Sequence, residues 1–167
     1  MTTRDHLIYH MQDLYSFERD MIPLLLEMRS ECNDDHIQQL LQDEGDAMRS
    51  EMDTIERGLN LLSTFFRQER NPLVPALKDA YQRFKRQTNP PAEQRDIYSA
   101  LALFKAQHSC IAAYQGLIEM ARAIGEQDVA MLMSENQQRQ QRRSDSVQQY
   151  IPSLVSGTNR GESRQAA

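Results

Sequence analysis

The chain has 167 residues, a formal charge of -5 at neutral pH, six glycines, six prolines and two cysteines. That length supports one domain with a single core, and the acidic balance argues against a binder of nucleic-acid backbone, whose contact face is strongly basic. No apolar run approaches the roughly 20 residues that span a bilayer and no charged start precedes an apolar leader, so a cytoplasmic protein without membrane attachment is expected.

Glutamine, arginine and methionine are plentiful and β-branched residues few, which favours an all-α chain. The first helix is predicted from about Arg4 to Ser30, capped by Thr2 or Thr3. Leu7, Met11, Leu14, Met21, Leu25 and Met28 recur in alternating steps of four and three, and Glu18 fills the missing place in that series. A helix carrying this stripe buries it, so Glu18 points inward. A lone carboxylate there costs several kcal/mol unless a cation or hydrogen-bond donor meets it. Pro23 lies within the same helix and predicts a kink between Arg19 and Pro23.

Asn33, Asp34 and Asp35 supply a turn and an N-cap for a second helix, marked by Ile37, Leu40, Leu41, Met48, Met52, Ile55, Leu59 and Leu62. Glu44 and Glu51 fall on its apolar seam. From Arg70 to Gln94 prolines punctuate a short amphipathic piece with Leu77, Tyr81 and Phe84, which reads as a crossover of about 25 residues containing a minor helix. Pro90 and Pro91 open a third helix. It carries Leu101, Leu103, Phe104, Ile111, Tyr114, Leu117, Ile118, Ala121 and Ile124 and stops at Gly125. Gln107, His108 and Cys110 sit mid-way along its buried side. A fourth helix starts at Gln127 or Asp128, is anchored by Val129, Leu132 and Met133 and again by Val147, Tyr150 and Ile151, and is expected to end at Pro152. The polar segment 156–167 reads as a disordered tail, which leaves 1–155 as the domain. Cys32 and Cys110 fall too far apart to pair, and the methionines read as core filler.

Four long helices with one long connection predict a ferritin-like four-helix bundle, with an up-and-down bundle as the alternative. In the ferritin-like arrangement a dimetal site takes a carboxylate from each of two helices and a Glu-x-x-His pair from each of the other two. Glu18 and Glu44 share a layer, and Gln107 and Cys110 come to a similar level. Ala47 stands where Glu44 would need its histidine, and the third helix offers no carboxylate. Between Ser134 and Ser146 the fourth helix has no apolar residue at all. Its middle therefore presents Asn136, Arg139, Gln140, Gln141, Arg142 or Arg143 to the core, and amide and guanidinium groups are poor metal ligands.

The predicted outcome is a guanidinium in the electrostatic role of a metal. Arg139 or Arg143 reaches Glu18 and Glu44, while Gln107 and Gln140 satisfy the remaining lone pairs. Two alternatives stay open: a fourth helix whose polar middle faces only water, and a metal held by Glu18, Glu44, Glu51 and His108 with water completing the shell. His6, His10 and His36 lie near helix ends and read as surface residues. No nucleophile elbow, phosphate loop or paired-cysteine motif is present, and Ser109 beside His108 does not make a hydrolase.

Three stretches resemble the ferritin-like family of small bacterial stress proteins that includes YciE and YciF. They are Met11 to Glu18, with Leu14, Tyr15 and Glu18 in a Leu-Tyr-x-x-Glu pattern; Ile111 to Tyr114 with Leu117 and Gly125; and Gln149-Tyr150-Ile151-Pro152. The resemblance implies a ferritin-like bundle, commonly dimeric, with a dimetal centre and a stress role. Glu18 transfers as a ligand position. The other positions depart: Glu44 and Ala47 on the second helix, Gln107 and Cys110 on the third, and Arg139 to Gln141 on the fourth. The expectation is a non-enzymatic stress-associated protein with a degenerate dimetal site and no cofactor, acting as a homodimer or through a protein partner. Its alternative is a working di-iron, or other divalent-metal, protein for iron or oxidative-stress handling. DNA protection through Arg139, Arg142, Arg143, Arg160 and Arg164 is a third class, opposed by the acidic total.

Overall fold

The computed structural model describes residues 1–65 and 70–165, with side chains described as far as Gly157. Among the described residues the structure is all-helical: α1 Thr3–Glu31, α2 Asp35–Leu61, α3 Leu73–Thr88, α4 Ala92–Ala123 and α5 Gln127–Gln165. None of these helices is long and apolar enough to cross a membrane.

Helix starts follow local chemistry. Thr2 and Asp5 form a reciprocal capping box at α1, with Thr2 N–H donating to the Asp5 carboxylate at 2.7 Å. The Asp34 carboxylate caps α2 by accepting from Ile37 N–H at 2.9 Å. α4 ends as the sequence predicts. Gly125 has φ 80, Glu126 N–H returns to Ala121 O at 2.9 Å and Gly125 N–H to Arg122 O at 3.1 Å, the paired bonds of a Schellman motif.

α1 packs along α2 and α4, and α5 packs along α4 and α2, so the four long helices enclose one core. The stripe of α1 is buried throughout, Glu18 included, and α1 runs unbroken through Pro23. Leu101, expected on the α4 seam, is instead 40% exposed. α3 lies against α1, held by Lys85 to Glu31 at 2.7 Å, Tyr81 to Glu31 at 2.8 Å and Lys78 to Glu27 at 3.3 Å. The buried Asn71 leads the chain into α3: its N–H donates to Asp20 at 2.9 Å, and its amide reaches Asp13 at 3.0 Å.

Pro152 does not end α5, which continues to Gln165, into the segment predicted to be an unstructured tail. Contacts outweigh the lost backbone bond. Tyr150 donates to Asp34 at 2.7 Å, and Ile151 and Leu154 pack against the core on either side of the proline. The side chains of Arg160 and Arg164 lie outside the described residues. Cys32 and Cys110 are both free and buried.

Candidate functional site

The middle of the core is a layer of polar side chains. Glu18, Glu44, Glu51, Gln107, Asn136 and Gln140 are each at most 1% exposed. The polar stretch of α5 faces inward, since Asn136, Gln140 and Ser144 recur every four residues, all buried. The reading in which this segment faces only water is thereby overturned. Helical spacing forces the result, because Met133 and Val147 bury the same face above and below.

Glu44 is the best-met carboxylate. Its Oε1 accepts from Gln140 Nε2 at 2.8 Å, and its Oε2 accepts from Gln107 Nε2 at 2.7 Å and Arg143 Nε at 3.0 Å. Arg143 then bridges to a second acid, with Nη2 donating to Glu51 Oε1 at 2.6 Å and to Gln140 Oε1 at 2.6 Å. A planar guanidinium suits this double role, since its N–H groups fan out in one plane toward several acceptors. Burial works against the Arg143 cation, but Glu44 and Glu51 outweigh it and raise its pKa. Burial pushes Glu51 up to about 7, against the pull of Arg143.

Glu18 is met differently from the prediction: among the described residues its hydrogen-bond donor is a tyrosine, and no arginine pairs with it. Tyr114 Oη donates to Glu18 Oε1 at 2.6 Å, and Asn136 Nδ2 donates to Tyr114 Oη at 3.0 Å and to the Glu51 carbonyl at 3.2 Å. Arg139 donates to Asn136 Oδ1, so its charge reaches Glu18 only through two intermediate side chains. Burial first, and then the Glu51 carboxylate, hold Glu18 well above the usual range, which favours the protonated acid. Burial and Glu18 likewise raise Tyr114. Cys110 shares this buried surrounding and is raised by burial and by the three glutamates.

The sequence-predicted residues thus separate into two clusters. Glu44, Gln107, Gln140 and Arg143 come together as expected, and Glu51, expected only as a metal ligand, joins them. Glu18 forms a second cluster with Tyr114 and Asn136. Tyr114 lies on the apolar stripe of α4 by virtue of its ring, and the polar tip that makes it a donor is the signal for its second role. His108 does not reach the carboxylates. It is exposed, with Nδ1 3.1 Å from Phe104 O and 3.2 Å from Ser144 Oγ. One residue along a helix turns the side chain by about 100°, which carries His108 off the face shared by Gln107 and Cys110.

A dimetal centre does not fit these groups. The oxygens of Glu44 and one of Glu51 already accept N–H donors from amide and guanidinium groups. A metal bridging these acids would sit beside a fixed cation, and among its described residues α5 contributes neither carboxylate nor imidazole to the layer. Among the described residues no three His, Cys, Asp or Glu side chains are disposed to hold a metal ion. Glu18 Oε2, Glu51 Oε2 and Gln107 Oε1 have no hydrogen-bond partner among the described residues.

The fold has relatives of known structure. The stress protein YciF of Escherichia coli superposes with a TM-score of 0.85 at 18% identity, covering 93% of this chain and 98% of that one. YcfI of Rhodopseudomonas palustris gives 0.82 at 16% identity, covering 89% and 94%. A protein of Xanthomonas campestris gives 0.80 at 18% identity, covering 97% and 99%. No curated protein matches the sequence. The model of the family described as a domain of unknown function, DUF892, matches residues 2–159, and the chain belongs to that family.

Proposed function

We propose that this chain is a non-enzymatic, ferritin-like four-helix bundle of the bacterial stress response, with α3 in its long crossover, in which Arg143 fills the place of a metal. Support for the stress role comes from the likeness in fold to YciF. The observation that carries the metal-free reading is the bridge from Arg143 to Glu44 at 3.0 Å and to Glu51 at 2.6 Å, closed by two glutamines. A site that brings its own cation has no need of iron to neutralise its acids. The protein then works as a homodimer or through a protein partner, with the polar layer setting the register of its helices.

The second reading, a di-iron protein, rests on the two unpartnered oxygens, Glu18 Oε2 and Glu51 Oε2. Metal analysis of protein purified without chelator, followed by ferrous titration under anaerobic conditions, separates the two. Sub-stoichiometric metal and no saturable binding are expected. One or two equivalents bound per chain, lost in Glu18→Gln and Glu51→Gln, would establish the di-iron reading instead.

A further inference from the structure

Away from the polar layer, α1, α3 and α4 enclose a cleft of about 380 Å³. Phe17, Met21 and Leu24 of α1, Leu77 of α3, and Tyr98 and Ala102 of α4 form its walls. The exposed Leu101 also faces it, which explains a leucine left outside the main core. Phe84 stacks on Tyr98 with ring centres 4.3 Å apart and ties α3 to α4. Lys105 is the single charged residue in this lining, and it makes no ion pair among the described residues. By contrast, the nearby Lys78 pairs with Glu27, and Lys85 pairs with both Glu27 and Glu31. A second cavity of about 420 Å³ shares Phe17, Leu73 and Ser109 with the first, so the space continues along α1.

We propose that this cleft binds an amphipathic anion with one charged head, a long-chain carboxylate, with Lys105 pairing the head and the α1–α3–α4 walls taking the alkyl chain. The volume falls within the range of small-molecule sites, about 300 to 1,000 Å³. Apolar walls with a lone unpaired cation select against neutral polar solutes and against cationic amphiphiles.

Isothermal titration of the full chain with dodecanoate and dodecyltrimethylammonium below their micelle concentrations, and with dodecanol below its solubility, tests this directly. Dodecanoate should saturate one site per chain, at least tenfold more tightly than the other two. Lys105→Glu, a change at an exposed position, should weaken dodecanoate at least tenfold and favour the cationic amphiphile. Ala102→Phe should abolish binding while the chain melts as the parent does. No saturable binding by the parent, equal binding of all three amphiphiles, or undiminished binding by either variant would overturn the proposal. So would a parent dimer that Ala102→Phe converts to monomer, since a second copy would then cover the cleft.

Discussion

Arg143 stands between two acids that are almost wholly removed from water, and that position decides what its loss would cost. Arg143→Ala leaves Glu44 and Glu51 buried without their cation and should destabilise the fold by about 3 to 5 kcal/mol in urea denaturation. An unchanged midpoint would show that the acids are neutralised by something else. Tyr114→Phe removes the donor to Glu18 and strands one Asn136 N–H, at a cost of about 1 to 3 kcal/mol. Glu18→Gln should change stability by less than about 1 kcal/mol, because an amide replaces an acid that burial already keeps protonated. Some of this was legible in the residues. A glutamate in a strict stripe of leucine and methionine must be buried, and thirteen consecutive residues without an apolar side chain on α5 must bury polar ones. Which arginine enters was not legible, since Arg139 and Arg143 lie one turn apart on the same face. His108 misled because its buried neighbours, Gln107 and Cys110, bracket it in sequence but not around the helix.

Among the elements, the ends of the helices carry the clearest consequences. Asp34 both caps α2 and accepts the Tyr150 hydroxyl from α5, so a single carboxylate ties the α1–α2 turn to the second half of the last helix. Asp96 secures the same turn by accepting from Asn33 N–H at 2.9 Å and Asp34 N–H at 3.2 Å. Asp34→Ala should therefore cost about 2 kcal/mol, near the top of the range for a lost cap. Hydrogen exchange should speed up at the start of α2 and around Tyr150; a change confined to α2 would rule out the tie to α5. Helix starts were legible because Thr, Asp and Pro act on their own neighbours. The end of α5 was not, because Pro152 is held in the helix by Tyr150, Ile151 and Leu154, whose partners lie far away in sequence.

For the whole molecule, the polar layer predicts an unusual dependence on pH. Glu51 and Glu18 both titrate above the ordinary value of 4.5 in the folded chain, so the fold retains protons that the unfolded chain releases. Stability on their account is fully present below 4.5 and falls as pH rises through the folded value of Glu51, about 7. Glu31 and Asp20 are shifted downward, by Lys85 with Tyr81 and by Arg19 with Asn71, against the effect of partial burial. Their contribution is lost only as pH falls below the ordinary carboxylate range. The midpoint of urea unfolding should thus peak near about pH 5 and decline toward neutrality, and Glu51→Gln should flatten that decline. An optimum at or above pH 7 in the parent would mean that Glu18 and Glu51 are not held protonated. At this scale the all-helical class was legible from composition and spacing, whereas the division of the layer into a Glu44 cluster and a Glu18 cluster depends on which helices face one another. The most direct test of a guanidinium serving as the counter-ion is a double-mutant cycle of Arg143→Met and Glu44→Gln, with stability measured for the parent, both single variants and the pair. A coupling of about 2 kcal/mol is predicted, with the double variant more stable than the sum of the single losses implies; a coupling indistinguishable from zero would contradict it.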